Sequence, residues 1–138
     1  MEAFTQSLAG LGAFLLYFIL SLAFLMLFKV VYVRFTPHDE WKLVKEGQNI
    51  AAAIGLSGSI IGYCLAIAGA ASNSVNLLDF ALWGIVALLA QLLAFYLLRF
   101  GFMPRIVERI EAGEIPAGII MAATSVSVGL LNAACMTY

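Results

Sequence analysis

Few residues in this chain could do acid–base or metal chemistry. A single histidine, His38, stands beside Asp39 and Glu40. An imidazole flanked by two carboxylates could bind a metal ion or relay protons. Consecutive helical residues point in different directions, however, so these three do not converge on one point. Their place in the first turn of a short helix accounts for them more simply, because the helix dipole favours anions there. Cys64 and Cys135 lie in apolar stretches with no C-x-x-C pattern and no histidine nearby, so they read as small packing residues. The chain holds no glycine-rich phosphate loop, catalytic serine motif or zinc-ligand spacing. Net charge is -1, with no basic patch for nucleic acid. The expectation is a protein that is not an enzyme, with no catalytic, cofactor-binding or metal-ligating residue and no nucleic-acid partner.

The remaining polar residues of interest lie inside apolar segments: Ser57, Ser59, Gln91, Thr124, Ser125, Ser127 and Asn132. Hydrogen bonding between helices, or back to the helix's own backbone, is the plain reading. A sharper one takes Ser57, Gln91, Thr124 and Asn132 as the lining of a polar path. No acidic or basic residue lies deep in any span, which argues against a proton pump built on a buried carboxylate.

The elements that carry these residues are membrane helices. The 138 residues are 64% hydrophobic and 11% charged, with mean hydropathy +1.04. A water-soluble domain is nearer half apolar and a quarter charged. Four apolar runs approach the roughly 20 residues that cross a bilayer as a helix. They are placed at Leu8–Val33, Ile50–Ala71, Phe80–Leu98 and Ala117–Met136. The first run has no Lys or Arg before it, so it reads as a retained helix and not as a secretory signal. Trp83 reads as an interfacial anchor. Gln91, an amide in hydrocarbon, should face the interior.

The second run carries a row of small residues on one face: Ala51, Gly55, Gly58, Gly62 and Ala66. Steps of four and three keep them aligned, and such a row lets another helix approach closely. The row returns as Gly118, Ala122, Ser125, Gly129 and Ala133, each 67 positions on from its counterpart. The chain therefore reads as a single membrane domain, 1–138, built of two similar halves at about 8–71 and 79–138. The fold class expected is all-α: an integral membrane bundle of four helices in two parallel two-helix repeats.

Each half carries a connecting loop with its own short helix. In the first, Thr36 serves as cap, Pro37 sits in the first turn, Trp41, Leu43 and Val44 form the apolar side, and Gly47 is the stop. In the second, Pro104 opens, Ile106, Val107 and Ile110 form the stripe, and Gly113 stops it. Both read as amphipathic helices on the membrane surface, the alternative for the first being an ordinary solvated loop. Lys29, Arg34, Lys42 and Lys45 surround the first loop, and Arg99, Arg105 and Arg109 the second. The N-terminus, the Ser72–Asp79 turn and the C-terminus have no basic residue. The positive-inside rule then puts both loops in the cytoplasm and both termini outside.

Thr36-Pro37-His38-Asp39-Glu40-Trp41, Ser57-Gly58, Gly62-Tyr63, Gln91-Leu92-Leu93 and the terminal Asn132-Ala133-Ala134-Cys135-Met136-Thr137-Tyr138 resemble the YjfL-like inner-membrane proteins, a family of small bacterial proteins classed under a domain of unknown function. The likeness covers nearly the whole chain. It implies a four-helix inner-membrane protein of two similar halves and supplies no activity. The functional expectation is a self-associating structural or interaction protein of the cell envelope. Thr36–Gly47 and Pro104–Gly113 would be offered to a cytoplasmic protein. The alternative is a subunit of an oligomeric channel or small-solute transporter.

Overall fold

A computed structural model describes residues 1–35 and 40–136. Thr36, Pro37, His38 and Asp39 of the first loop lie outside the described residues, as do Thr137 and Tyr138. The described chain is all helical, in the order α1 (Glu2–Phe35), α2 (Glu40–Lys45), α3 (Ile50–Asn73), α4 (Leu77–Leu97), α5 (Ile106–Glu111) and α6 (Ile115–Cys135). A π-helical turn, Leu98–Phe102, continues α4. Its signature is the Met103 N–H, which donates to the Leu98 carbonyl five residues back at 2.8 Å. Four of the helices, namely α1, α3, α4 with its π turn, and α6, are long and apolar enough to cross a membrane.

Helix ends follow local chemistry. α4 begins at Leu77, three residues before the expected Phe80, with Asn76 as its cap: the Asn76 carboxamide oxygen accepts from the Asp79 N–H at 2.8 Å, while the Asp79 carboxylate accepts from the Val75 N–H at 3.0 Å. Two side chains thus satisfy amides at the helix start. After α5, the Gly113 N–H donates to the Ile110 carbonyl and the Glu114 N–H to the Arg109 carbonyl. That is a Schellman stop, with Gly113 at φ 81. After α2 the left-handed residue is Gln48 (φ 50), not Gly47. At Gly47 a Cβ would stand close, 3.0 Å, to the Leu43 carbonyl oxygen. α1 begins at Glu2, earlier than the expected Leu8, because nothing in its first residues breaks a helix. Its 34 residues span about 51 Å, well beyond a hydrocarbon core of about 30 Å.

The centre of the molecule is the α3–α6 pair. Gly118 lies on Ala51, Gly58 on Ala122, Gly129 on Gly62, and Gly69 on Ala133. Contacts advance together along both helices, so α3 and α6 run parallel. α4 closes one side, where the Tyr63 hydroxyl donates to the Gly84 carbonyl at 3.1 Å. The last dozen residues of α1 close the other with Phe24, Phe28 and Tyr32, its three buried residues. Phe28 stacks on Tyr63 with ring centroids 4.6 Å apart, and Phe24 meets Phe80 edge-on at 5.9 Å.

The apolar side of α5 turns inward: Ile106 and Ile110 are fully buried in the core. On α2, Leu43 and Val44 are partly buried against that core, and Trp41 is exposed. Asn49 ties the two loops together: it caps α3 through the Ala52 N–H (3.0 Å) and donates to the Ile110 carbonyl of α5 at 2.7 Å. Lys29 places its Nζ 3.9 Å above the ring of the exposed Trp41.

Candidate functional site

The two rows of small residues face each other across α3 and α6. A Cβ on Gly58 would fall on Ala122. One on Gly62 would fall on the Ser125 carbonyl, and one on Gly129 on the carbonyl oxygen of Gly62. At this distance, backbone Cα–H groups meet carbonyl oxygens directly, each such contact adding about 0.5–1 kcal/mol. Ala51 and Ala66 are fully buried, Gly55 abuts the Met121 sulfur, and Ala133 meets Gly69. The ten residues thus belong to one intramolecular contact. Joining two chains through them would require α3 and α6 to separate.

Polar groups from all four long helices meet around this contact. The Ser59 hydroxyl of α3 has one proton and two acceptors within reach, the Tyr32 phenol oxygen of α1 (2.9 Å) and the Gly55 carbonyl (3.1 Å). The Ser125 hydroxyl of α6 lies 3.2 Å from it. From α4, the Gln91 amide nitrogen donates to the Ser125 carbonyl at 3.2 Å. Ser59, Gln91 and Ser125 are all buried. Ser59 is nine residues into α3 and Ser125 ten into α6, about 13–15 Å along each helix, so the node sits near mid-length of both helices.

Two atoms of this region have no hydrogen-bond partner among the described residues: Oε1 of Gln91 and Nδ2 of Asn132. The bond to the Ser125 carbonyl fixes which way the Gln91 amide faces, since a flipped amide would set oxygen against oxygen. Its free acceptor costs about 1–3 kcal/mol unless a small donor such as water occupies the spot. Among the described residues no three His, Cys, Asp or Glu side chains gather as metal ligands. The chemistry available at the node is hydrogen bonding between neutral groups.

The four residues proposed for a polar path are not drawn to one place. Gln91 is buried at the node, Asn132 is partly buried two turns further along α6, and Ser57 is exposed. Thr124 donates back to the Ile120 carbonyl at 2.9 Å. Ser57 lies 200° around α3 from Gly55, at 100° per residue, so it points away from the row. Ser59 is the serine on the inner face, four residues after Gly55 and three before Gly62. That register was available from spacing alone. Tyr32 carried no such signal, because its phenol enters the node only through the packing of α1. Cys64 and Cys135 are both exposed rather than packed inside.

The family described as Domain of Unknown Function (DUF350) matches residues 6–136. The inner membrane protein YjfL (UPF0719) of Escherichia coli K12 is 39% identical over 131 residues, covering 95% of this chain and 98% of that protein. The corresponding protein of Escherichia coli O157:H7 matches to the same extent. No solved structure matches. Four bilayer-length apolar helices and a match over nearly the whole length agree: this chain is a multi-pass membrane protein and belongs to the DUF350 family.

Proposed function

We propose that the protein is a non-enzymatic structural and interaction module of the bacterial inner membrane that self-associates through α1. The observation that carries this reading is the bareness of that helix. Of its 34 residues only Phe24, Phe28 and Tyr32 are buried. A Cβ on Gly10 or Gly12 would meet nothing within 4 Å. Seven other glycines in the membrane helices, Gly84 among them, have a neighbour against that position. Glycine inside a helix costs about 1 kcal/mol relative to alanine, and at Gly12 no contact among the described residues offsets it. Gly12 lies on the α1 face turned away from the bundle, with Ala9, Leu16, Ile19 and Ala23 near it. A second helix could approach there as α6 approaches α3.

The relatives are inner membrane proteins by name, and this supports the same membrane for the chain. Basic residues at one end of the bundle support a cytoplasmic position for α2 and α5, with both termini outside. The parallel course of α3 and α6 supports two like halves about an axis along the membrane normal.

The test is Gly12→Cys with Cys64 and Cys135 replaced by alanine, oxidised in native membranes, followed by native mass determination after gentle extraction. A covalent dimer and a defined homo-oligomer are expected. A monomer in mild detergent that gives no cross-link would refute the reading. Gln91 Oε1 and Asn132 Nδ2, without a partner among the described residues, favour one second reading, a subunit of an oligomeric channel or small-solute carrier. Proteoliposomes that leak small solutes only when Gln91 is intact would support it; tight ones would count against it.

A further inference from the structure

Lys29 stands inside an apolar run, five residues before Arg34 and so about 7.5 Å further into the membrane along α1. It is half-buried, and Met26, Leu27 and Val30 beside it are exposed, which puts it in the zone of α1 that meets lipid. The fold brings α2 to this lysine: its Nζ lies 3.9 Å from the centre of the Trp41 ring, and Trp41 is 40% exposed. Lys45, also exposed, follows Trp41 by four residues, one turn on along the same face of α2.

Every polar group of this cluster is a donor. A lysine ammonium has three N–H donors and no acceptor, and an indole has one N–H and no acceptor. The Trp41 ring holds one side of the Lys29 ammonium by its π face, which leaves the N–H groups on the other side to an oxygen acceptor. Among the described residues no carboxylate lies within ion-pair distance of Lys29 or Lys45, and the Lys29 ammonium and the Trp41 N–H have no hydrogen-bond acceptor. The arginines of the other loop differ: Arg105 is paired with Glu108 at 3.3 Å and Arg109 with Glu114 at 3.2 Å.

We propose that Lys29, Trp41 and Lys45 bind the phosphate of an anionic phospholipid in the leaflet that borders the loop helices. Charge identifies the ligand: a set of donors with two unpaired positive charges calls for a negative group rich in acceptors, which a phosphate diester is. Depth identifies its source. A soluble anion would have to leave water to reach an ammonium set between exposed Met26 and Val30, whereas a phospholipid carries its phosphate at the edge of the hydrocarbon. Long lysine side chains reach that level from within a span, and tryptophan is enriched there. The headgroup should be anionic as a whole, because the ammonium of a zwitterionic one is repelled by the two lysines. The bound phosphate would bridge α1 and α2. The site lies about 25 Å along α1 from Gly12, so the inference does not depend on self-association through that residue.

The experiment gives full-length protein in mild detergent equal amounts of phosphatidylglycerol and phosphatidylethanolamine and counts the retained lipids by native mass spectrometry. A lysine close to anionic lipid is worth roughly fivefold in affinity. Wild type should therefore retain phosphatidylglycerol in excess, and Lys29→Met and Lys45→Met should each lower the ratio of the two lipids roughly fivefold. Lys45 is exposed, so its replacement leaves the fold intact. Lys29→Arg should keep the excess, and Arg105→Met, at a residue already paired, should leave it unchanged. Equal retention of the two lipids by wild type would overturn the proposal. So would an excess that survives both methionine variants, or one that falls as far with Arg105→Met. Displacement of phosphatidylglycerol by millimolar inorganic phosphate would overturn the assignment to a lipid, since it would make the ligand a soluble anion.

Discussion

Replacing Gly129 with alanine puts a methyl group onto the carbonyl oxygen of Gly62, with the Gly62 carbonyl carbon 2.7 Å and its Cα 2.8 Å away. Ordinary carbon–oxygen contacts here stand at about 3.3–3.6 Å, so α3 and α6 must part by roughly 1 Å. A radial gap of that size forfeits a quarter to a half of each dispersion contact, and overpacking of this kind costs about 1–3 kcal/mol. The Ser59–Ser125 contact at 3.2 Å bridges the helices being parted. Interhelical bonds in membranes are worth about 0.6 kcal/mol each, so about that much more is at stake. Alanine's better helix propensity returns up to about 1 kcal/mol. The net expectation is a loss of about 1–3 kcal/mol. Gly12→Ala is the control: its Cβ meets nothing within 4 Å, so only the propensity gain remains. Thermal unfolding in mild detergent should separate the two variants clearly, with Gly129→Ala below wild type and Gly12→Ala at or above it. Equal midpoints would refute the claim that α3 and α6 touch backbone to backbone.

Gly62→Leu should go further than Gly129→Ala, since its side chain would enter the Ser125 backbone and the Gln91 amide nitrogen together; loss of folded protein in membranes is expected, and normal yield with an unshifted midpoint would contradict it. Gln91→Met exchanges one hydrogen bond for removal of an unsatisfied acceptor costing about 1–3 kcal/mol; the variant should match or exceed wild-type stability, and a loss above ~2 kcal/mol would mean that Oε1 holds a bound partner. Asn49→Ala removes the cap of α3, worth about 0.5–2 kcal/mol, and its 2.7 Å bond to the Ile110 carbonyl. Hydrogen exchange should then speed up in α5 and in the first turn of α3 while the centre of α6 stays protected; unchanged α5 amides would show that the tie carries no load.

The membrane helices, their approximate ends and the two rows of small residues were legible in the sequence because each depends on local properties. Apolar run length sets a span, spacing of three and four sets a face, and Asn or Gly sets an end. The inner position of Ser59 was equally open to reading by helix register. Other matters depended on how helices meet. Whether the small-residue rows serve one chain or two is a question of partner choice, and a row looks the same in either case; in the folded chain they face each other. The stripe of Ile106 and Ile110 has the same spacing whether it lies on lipid or in a core, and only the placement of α5 under the bundle buries it. Tyr32 reaches the central polar node because α1 packs by its last dozen residues and stands off from α3 above them. Spacing along one helix fixes its own faces. The neighbour that each face meets follows from the shapes of all four helices together.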